Sequence, residues 1–488
     1  MGANRVAEKS AGGGGSVQAM QDVVELQAHF AEFGQSHVFR FWDQLDDAGR
    51  TRLRLQAAGI DLAALARIQA KLGATTGALP GELEPIEAER LPDHGGDASR
   101  AARATARGDE ILASGRVAAL VVAGGQGTRL GFDGPKGAYP IGPVSERSLF
   151  EIQAQKIRGL RRRTGHDLPW CVMTSSATDD ATRAFFLENQ YFGLPERDVL
   201  FFCQGKIPSL DRDGRLMLEA PDRIFENPDG HGGCLTALSA SGVLDELADR
   251  GIDTLFYYQV DNPLVRMCDP TFLGYHDEAG AEFSCKVAGK TDPDEKVGIL
   301  ARSAGRAIVV EYTELADADR YARDDRGELI YWAGNLAIHL LATDFVRRVA
   351  DDADQFLPFH ASEKIIPHFD DAGNLVEPES PNGRKLERFV FDALAAAESV
   401  CVVEAERSSE FSPVKNADGN DSPATARRDL IASYHSWLTA GGISPADSSA
   451  AIEVDHAKID GPVDARGLGV RGAADAGDAI RIASGDSV

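Results

Sequence analysis

Three observations predict an α/β protein with a doubly wound, Rossmann-like mixed sheet, preceded by a helical region and followed by a small β-rich module. Short β-branched apolar runs alternate with amphipathic helical stretches through the middle of the chain. Two of those runs, Val117–Ala123 and Leu255–Val260, end on Gly124 and Asp261, residue types that meet ligands at the carboxyl edge of a parallel sheet. The 488 residues exceed what one hydrophobic core holds, so two or three domains are expected.

Residues 1–16 are rich in Gly, Ser and Ala and read as a disordered tail. Residues 17–105 read as a helical N-terminal region. Val24, Leu26, Phe30 and Phe33 are expected on one face, and Leu53, Leu55, Ile60, Leu62, Leu65 and Ile68 recur at helical spacing. Prolines 80, 85 and 92 with neighbouring glycines make 76–98 linker-like, and a helix is expected over 98–114. Residues 106–440 form the expected catalytic domain. Its strands are Val117–Ala123, Trp170–Thr174, Val199–Cys203 and Leu255–Val260. Its helices are Leu149–Arg163, Thr178–Gln190 and Leu235–Arg250. Strand-like runs over Lys286–Val310 suggest a β-insertion above the site, and 441–488 suggests a small C-terminal module.

The net charge is −25, which argues against nucleic acid as a partner, because a phosphate backbone demands a basic face. The six cysteines form no C-x-x-C pair and read as buried thiols rather than disulfides. No run of 18 apolar residues is present, and the start of the chain lacks an apolar leader core, so a cytoplasmic protein away from membranes is expected.

The chemistry concentrates in Ala123-Gly-Gly-Gln-Gly-Thr-Arg-Leu-Gly-Phe-Asp-Gly-Pro-Lys136. Gly124, Gly125 and Gly127 allow a bare backbone to approach a ligand, and Arg129 and Lys136 set two cations beside it, a combination suited to a polyphosphate. A Walker loop is excluded, since Gly137 stands where a magnesium-binding hydroxyl belongs. A dinucleotide fingerprint is matched only at its start. Asp261, at the end of an apolar strand, suits a magnesium ion that takes one or two carboxylates plus substrate oxygens. It suits equally a turn with Asn262-Pro263.

G-G-x-G-T-R-L with P-K resembles the signature loop of nucleotide-sugar pyrophosphorylases. Further motifs follow in order: Pro228-Asp-Gly-His-Gly-Gly233, Val260-Asp-Asn262, Val310-Glu-Tyr312, Ala333-Gly-Asn335, Asn382-Gly-Arg-Lys-Leu-Glu-Arg-Phe-Val-Phe-Asp392 and Phe411-Ser-Pro-Val-Lys-Asn416. Together they resemble the UDP-N-acetylhexosamine pyrophosphorylase family over roughly residues 115 to 440. The resemblance implies the nucleotide-diphospho-sugar transferase fold, magnesium as cofactor, and UTP and N-acetylglucosamine 1-phosphate as substrates. It implies that Asp261 contacts metal and nucleotide, that Lys136 and Lys415 contact phosphate, and that Arg129 holds the leaving phosphates. Uridine would be met near Ala123, Gly124, Gly125, Gln204 and Gly230. Lys385 would contact the sugar phosphate, Glu311 and Asn335 the sugar hydroxyls, and Phe389 and Phe391 would wall the acetamido pocket.

One departure bears on the sugar. His231 stands where the N-acetylhexosamine enzymes usually carry Asn, and a G-H-G loop resembles UDP-glucose and broad UDP-sugar pyrophosphorylases. The sugar could therefore be glucose or several sugars. A non-catalytic nucleotide-sugar sensor is a third reading, disfavoured by the retention of Arg129, Lys136, Asp261 and Lys415 together.

Overall fold

The computed structural model describes residues 23–74, 81–442, 451–459, 461 and 480–482. The expected tail, 1–16, and much of the expected 441–488 module lie outside the described residues. The chain divides into two compact units. One comprises Met1–Thr76, Lys206–Asn227 and Phe359–Leu386, and the other Gly77–Gly205, Pro228–Pro358 and Glu387–Val488.

The first unit is built from helices and short strands that are far apart in sequence. Asp46 caps the helix Asp47–Ala58 by accepting the Gly49 N–H, as a short acid does at an N-terminus. Helices Val23–Glu32, Asp47–Ala58 and Leu62–Ala74 bury Leu26, Phe30, Leu53, Leu62 and Leu65. These pack with Ile207, Leu210, Leu218, Ile224 and Leu386 from the two later segments. Two residues expected on the buried face are exposed, Val24 and Leu55. Each lies two positions from a buried neighbour, about 200° around a helix, so both cannot face the core. Polar ties complete the unit: Gln56 Nε2 donates to the Ile224 carbonyl at 2.8 Å, and Gln69 Nε2 to that of Gly214 at 2.8 Å.

The second unit is organised by a mixed ten-stranded sheet among the described residues. Thr254–Gln259, Val117–Val122, Trp170–Thr174 and Val199–Cys203 run parallel as neighbours in that order. Ala333–Ala342 pairs antiparallel with Thr254–Gln259. Both faces of the sheet are covered. Val117, Ala119 and Val121 enter one core cluster, and Ala118 and Leu120 the other. A strand buried on both sides is apolar throughout, which explains the unbroken run Val-Ala-Ala-Leu-Val-Val. The helices Leu149–Thr164 and Asp179–Glu188 make the crossovers between the parallel strands.

Three sequence expectations are corrected. The helix expected over Leu235–Arg250 is two helices, Gly233–Ala240 and Val243–Asp249. Gly242 lies between them at φ +79°, a left-handed conformation that ends an α-helix. The linker-like stretch contains the edge strand Leu83–Pro85, paired with Ile299–Ser303. The run Lys286–Val310 is no separate insertion, because Phe283–Gly289, Ile299–Ser303 and Arg306–Val310 all belong to the main sheet. Of the C-terminal residues, Ile452–Val454 pairs in parallel with Ile480–Ile482.

The helices Ala98–Ala113 and Pro270–Glu278 cross with their backbones in contact. A methyl group on Gly108 would overlap the Pro270 carbonyl, and one on Gly274 the Ala104 carbonyl. Gly274→Ala should therefore destabilise the protein by about 1–3 kcal/mol through overpacking. Urea unfolding tests this, and an unchanged midpoint would contradict the close approach.

Candidate functional site

The carboxyl ends of the four parallel strands carry Gly124, Ser175, Gln204 and Asp261 within two residues of each strand's last hydrogen-bonded position. The glycine-rich loop closes on itself there. The Gly127 N–H donates to the Gly134 carbonyl at 2.9 Å and the Lys136 N–H to that of Gly125 at 3.0 Å. Ser175 Oγ donates to the Gly124 carbonyl at 2.7 Å, and the Ala123 N–H to that of Met173 at 2.9 Å. Gly137 packs against the Phe150 ring with no space for a side chain. Held this way, Lys136 directs its ammonium to Asp261, Nζ to Oδ2 2.8 Å.

Asp261 sits at a corner tied from several directions. The Val260 N–H donates to the Val122 carbonyl at 3.1 Å, and Gln153 Nε2 donates to the Val260 carbonyl at 2.9 Å. The Asp261 carbonyl accepts the Val414 N–H at 2.9 Å. Next to it, buried Asn262 grips the same distant segment with both ends of its amide. Its Nδ2 donates to the Glu410 carbonyl at 2.8 Å, and its Oδ1 accepts the Ser412 N–H at 3.1 Å. These bonds bring Lys415, 154 positions along the chain from Asp261, to the rim of the same cleft.

Glu410 is anchored below by buried charge. Lys286, fully enclosed, pairs with Asp269 Oδ2 at 2.7 Å and with the Glu410 carboxylate. Burial would raise the Asp269 carboxyl, but the Arg266 guanidinium and the Lys286 ammonium hold it down at about 2. Burial pushes the Glu410 carboxyl up, against the pull of Lys286.

The cleft beside Asp261 is lined by His231, Glu311, Asn335, Phe391 and Lys415. Asn335 occupies an irregular stretch of its strand. Cys285 faces His339 and Val287 faces Asn335, so the register jumps between them, and Ala337 takes φ +54°. Such bulges re-aim side chains beside sites. The Asn335 Oδ1 accepts the Ala337 N–H at 3.0 Å. His231 Nδ1 accepts the Val390 N–H at 3.2 Å, so the neutral ring carries its hydrogen on Nε2. The ring stacks on Phe389, centroids 5.3 Å apart at 22°, and lies 5.6 Å from Phe391. Gly230, at φ +89°, passes too close to the Arg388 carbonyl for any side chain.

The structure thus gathers Asp261, Lys136, Lys415, His231, Glu311, Asn335 and Phe391 about one cleft. Ala123, Gly124 and Gln204 lie along the same sheet edge. Phe389 backs His231. Gly125 supplies the carbonyl that anchors Lys136. Arg129 is exposed in the short turn Thr128–Leu130 and is not among the cleft's lining residues. Lys385 lies on the strand Gly383–Arg388, in the part of it that belongs to the first unit. Gln259 and Lys296 are among the lining residues that sequence reasoning did not single out. Lys296 follows an acidic, solvent-like stretch with no distinguishing pattern. Lys286 did carry a signal, a lone cation inside the apolar strand Phe283–Gly289.

Among the described residues, no cluster of three or more His, Cys, Asp or Glu side chains could hold a metal. The carboxylate that meets the glycine-rich loop through Lys136 is that of Asp261. This fits a divalent cation that takes one protein carboxylate and completes its shell with substrate oxygens and water, rather than one caged by protein.

The chain matches the family model described as UTP–glucose-1-phosphate uridylyltransferase over residues 82–434. It is 37% identical over 435 residues to the human UDP-N-acetylhexosamine pyrophosphorylase-like protein 1, covering 86% of each chain. It is 34% identical over 447 residues to the UDP-N-acetylglucosamine pyrophosphorylase of Saccharomyces cerevisiae, covering 87% of this chain and 92% of the yeast protein. The uridine diphosphate N-acetylglucosamine pyrophosphorylase of Trypanosoma brucei, solved with an inhibitor, superposes with a TM-score of 0.80 at 29% identity. That match covers 92% of this chain and 95% of the other.

Lys286→Met would leave the buried Glu410 carboxylate without its paired cation and Asp269 with Arg266 alone. Loss of one partner from such a network costs about 3–5 kcal/mol, and a fall in thermal midpoint at neutral pH is the expected readout. An unchanged midpoint would show that the network does not anchor Glu410.

Proposed function

The chain belongs to the UDP-N-acetylhexosamine pyrophosphorylases of the UTP–glucose-1-phosphate uridylyltransferase family, and from that premise we propose how its residues carry the family's reaction. The enzyme joins UTP and N-acetylglucosamine 1-phosphate to give UDP-N-acetylglucosamine and pyrophosphate. An oxygen of the sugar phosphate attacks the α-phosphorus, the bond between that phosphorus and the bridging oxygen breaks, and pyrophosphate departs with the electron pair. The nucleophile is already an anion, so no general base is needed. The protein must hold two repelling anions in line and stabilise the leaving group.

Lys136 and Lys415 supply that positive charge in this reading, and Arg129 reaches the leaving phosphates from its exposed turn. A divalent cation serves this chemistry, and we assign it as magnesium, held by Asp261. When bound, it neutralises charge on the phosphate oxygens. Lys136, paired with Asp261 at 2.8 Å, would turn its ammonium to the phosphates were Asp261 to hold the cation. Ala123, Gly124, Gly125, Gln204 and Gly230 meet the uridine. Glu311 and Asn335 bond the sugar hydroxyls, where buried polar partners reject a wrong sugar by going unpaired. His231, Phe389 and Phe391 form the wall for the acetamido group. The observation that carries the proposal is the convergence of three separate motifs on one sheet edge: Lys136 paired to Asp261, and the Lys415 loop hung from the Asp261 carbonyl. No helix among the described residues is long and apolar enough to cross a membrane. A cytoplasmic setting is supported by six cysteines present as thiols, five of them buried.

Pyrophosphate release from UTP with a panel of sugar 1-phosphates tests the reading. Asp261→Asn should lower turnover by orders of magnitude while the protein stays folded, and near-normal activity at saturating magnesium would remove Asp261 from the mechanism. Lys415→Ala should raise the barrier by about 2–4 kcal/mol with little change in thermal midpoint, because the side chain is exposed. A folded variant with normal kcat would contradict its role.

His231→Asn can keep the Val390 bond through its side-chain oxygen, so the fold should survive. Its ratio of kcat/KM for N-acetylglucosamine 1-phosphate over glucose 1-phosphate should rise. A wild-type preference for glucose 1-phosphate would instead favour a UDP-glucose or broad-specificity enzyme, the reading that the G-H-G loop supports.

A further inference from the structure

We infer that Asp229 is a positioning residue that fixes which way the Gln204 amide faces, so that the site presents the nucleotide base with an acceptor and selects uracil over cytosine. This rests on the reading of the chain as a UTP-dependent enzyme.

Gln204 directly follows the strand Val199–Cys203, and its N–H donates to the Thr174 carbonyl at 3.0 Å. The side chain is nearly buried. Its Nε2 donates to Asp229 Oδ1 at 3.4 Å and to the Gly230 carbonyl at 3.3 Å. Each bond is long, but both partners are acceptors. The reversed amide would set Oε1 against a carboxylate and a carbonyl at once. Both Nε2 hydrogens are therefore engaged on that side. The remaining atom, Oε1, lies against Gly124, where a Cβ would stand 2.4 Å from it.

Asp229 is itself held. Its N–H donates to the Gly205 carbonyl at 3.1 Å, and its carbonyl accepts the Arg388 N–H at 2.7 Å. Its carboxylate lies in a recess that exists because residues 205 and 233 are glycines, since a Cβ on Gly205 would stand 2.7 Å from Oδ2 and one on Gly233 would overlap the carboxylate. With its backbone tied on both sides and its carboxylate seated in this recess, Asp229 dictates the amide rather than following it.

An amide offering only its oxygen discriminates between the two pyrimidines. Uracil carries a hydrogen on N3 and can donate it. Cytosine presents a bare N3 lone pair at the same place, which meets Oε1 with repulsion. Released from Asp229, the amide could turn and offer cytosine an N–H.

The test is the ratio of kcat/KM for UTP over CTP, with thermal midpoints measured alongside. Asp229→Leu removes the acceptor while keeping the branched outline, though with bulkier methyl groups, and should lower the ratio about tenfold, the worth of one hydrogen bond, with CTP gaining relative to UTP. Asp229→Asn retains an acceptor oxygen and should keep the ratio near the wild-type value. Asp229→Ala serves as a smaller apolar variant should Asp229→Leu fail to fold.

A ratio unchanged in the folded apolar variants would overturn the proposal. So would the failure of both to fold, which would make Asp229 a residue of the fold alone. A wild-type enzyme that uses CTP as well as UTP would reject the uridine reading itself, whereas a wild-type preference for UTP that survives Asp229→Leu rejects only the role of Asp229.

Discussion

The assembly of the site across the chain depends on the two-handed grip of Asn262 on the segment Glu410–Ser412. Asp261 reaches the sheet edge by itself, as the continuation of a parallel strand. Lys415 does not. It arrives because Asn262 satisfies one donor and one acceptor of a backbone that would otherwise pass elsewhere, and because the Asp261 carbonyl takes the next N–H along. A buried amide with both ends used adds specificity more than strength, since each bond contributes only about 1 kcal/mol net.

The charge beneath that grip follows a different logic. Lys286, Asp269 and Glu410 are almost wholly removed from water, and burying ions costs several kcal/mol each before their attraction offsets it. Such a network gives little net stability for its size. It does hinge on one cation, because Glu410 is paired only with Lys286 in this network, whereas Asp269 also meets Arg266. The floor of the site therefore depends on Lys286 standing between the two carboxylates, which suits a reaction that needs anions aligned without later adjustment. On the opposite side of Asp261, the glycine loop reaches the same rigidity without charge. Its hydrogen bonds close it on itself, and its glycines fit where side chains would collide.

Local features were legible in the sequence. The run Val117–Ala123 reads as a buried strand because its β-branched, all-apolar composition has few other stable uses. Asp261 at the end of Leu255–Val260 follows from strand length alone. The helix Leu149–Thr164 was legible from its spacing to within one residue of its end. Illegible were features created by distance along the chain. No local pattern shows that Lys206–Asn227 and Phe359–Leu386 pack with the N-terminal helices, since each is too short to announce a partner. The break at Gly242 was visible as a glycine but not as a left-handed turn. Lys296 gave no signal, because a lysine after acidic residues looks like any solvated loop. Lys286 was readable in principle, since an apolar strand rarely accepts a lone cation without hidden counter-charges.

The central claim is that Asn262 acts on catalysis by delivering Lys415. A double-mutant cycle on kcat/KM with Asn262→Ala and Lys415→Ala, normalised to folded enzyme, tests it most directly. Residues acting as one unit are non-additive. The account predicts that Asn262→Ala alone costs nearly as much as Lys415→Ala, and that the double variant is little worse than either. Additive losses would contradict it, showing that Lys415 reaches the phosphates without the grip of Asn262.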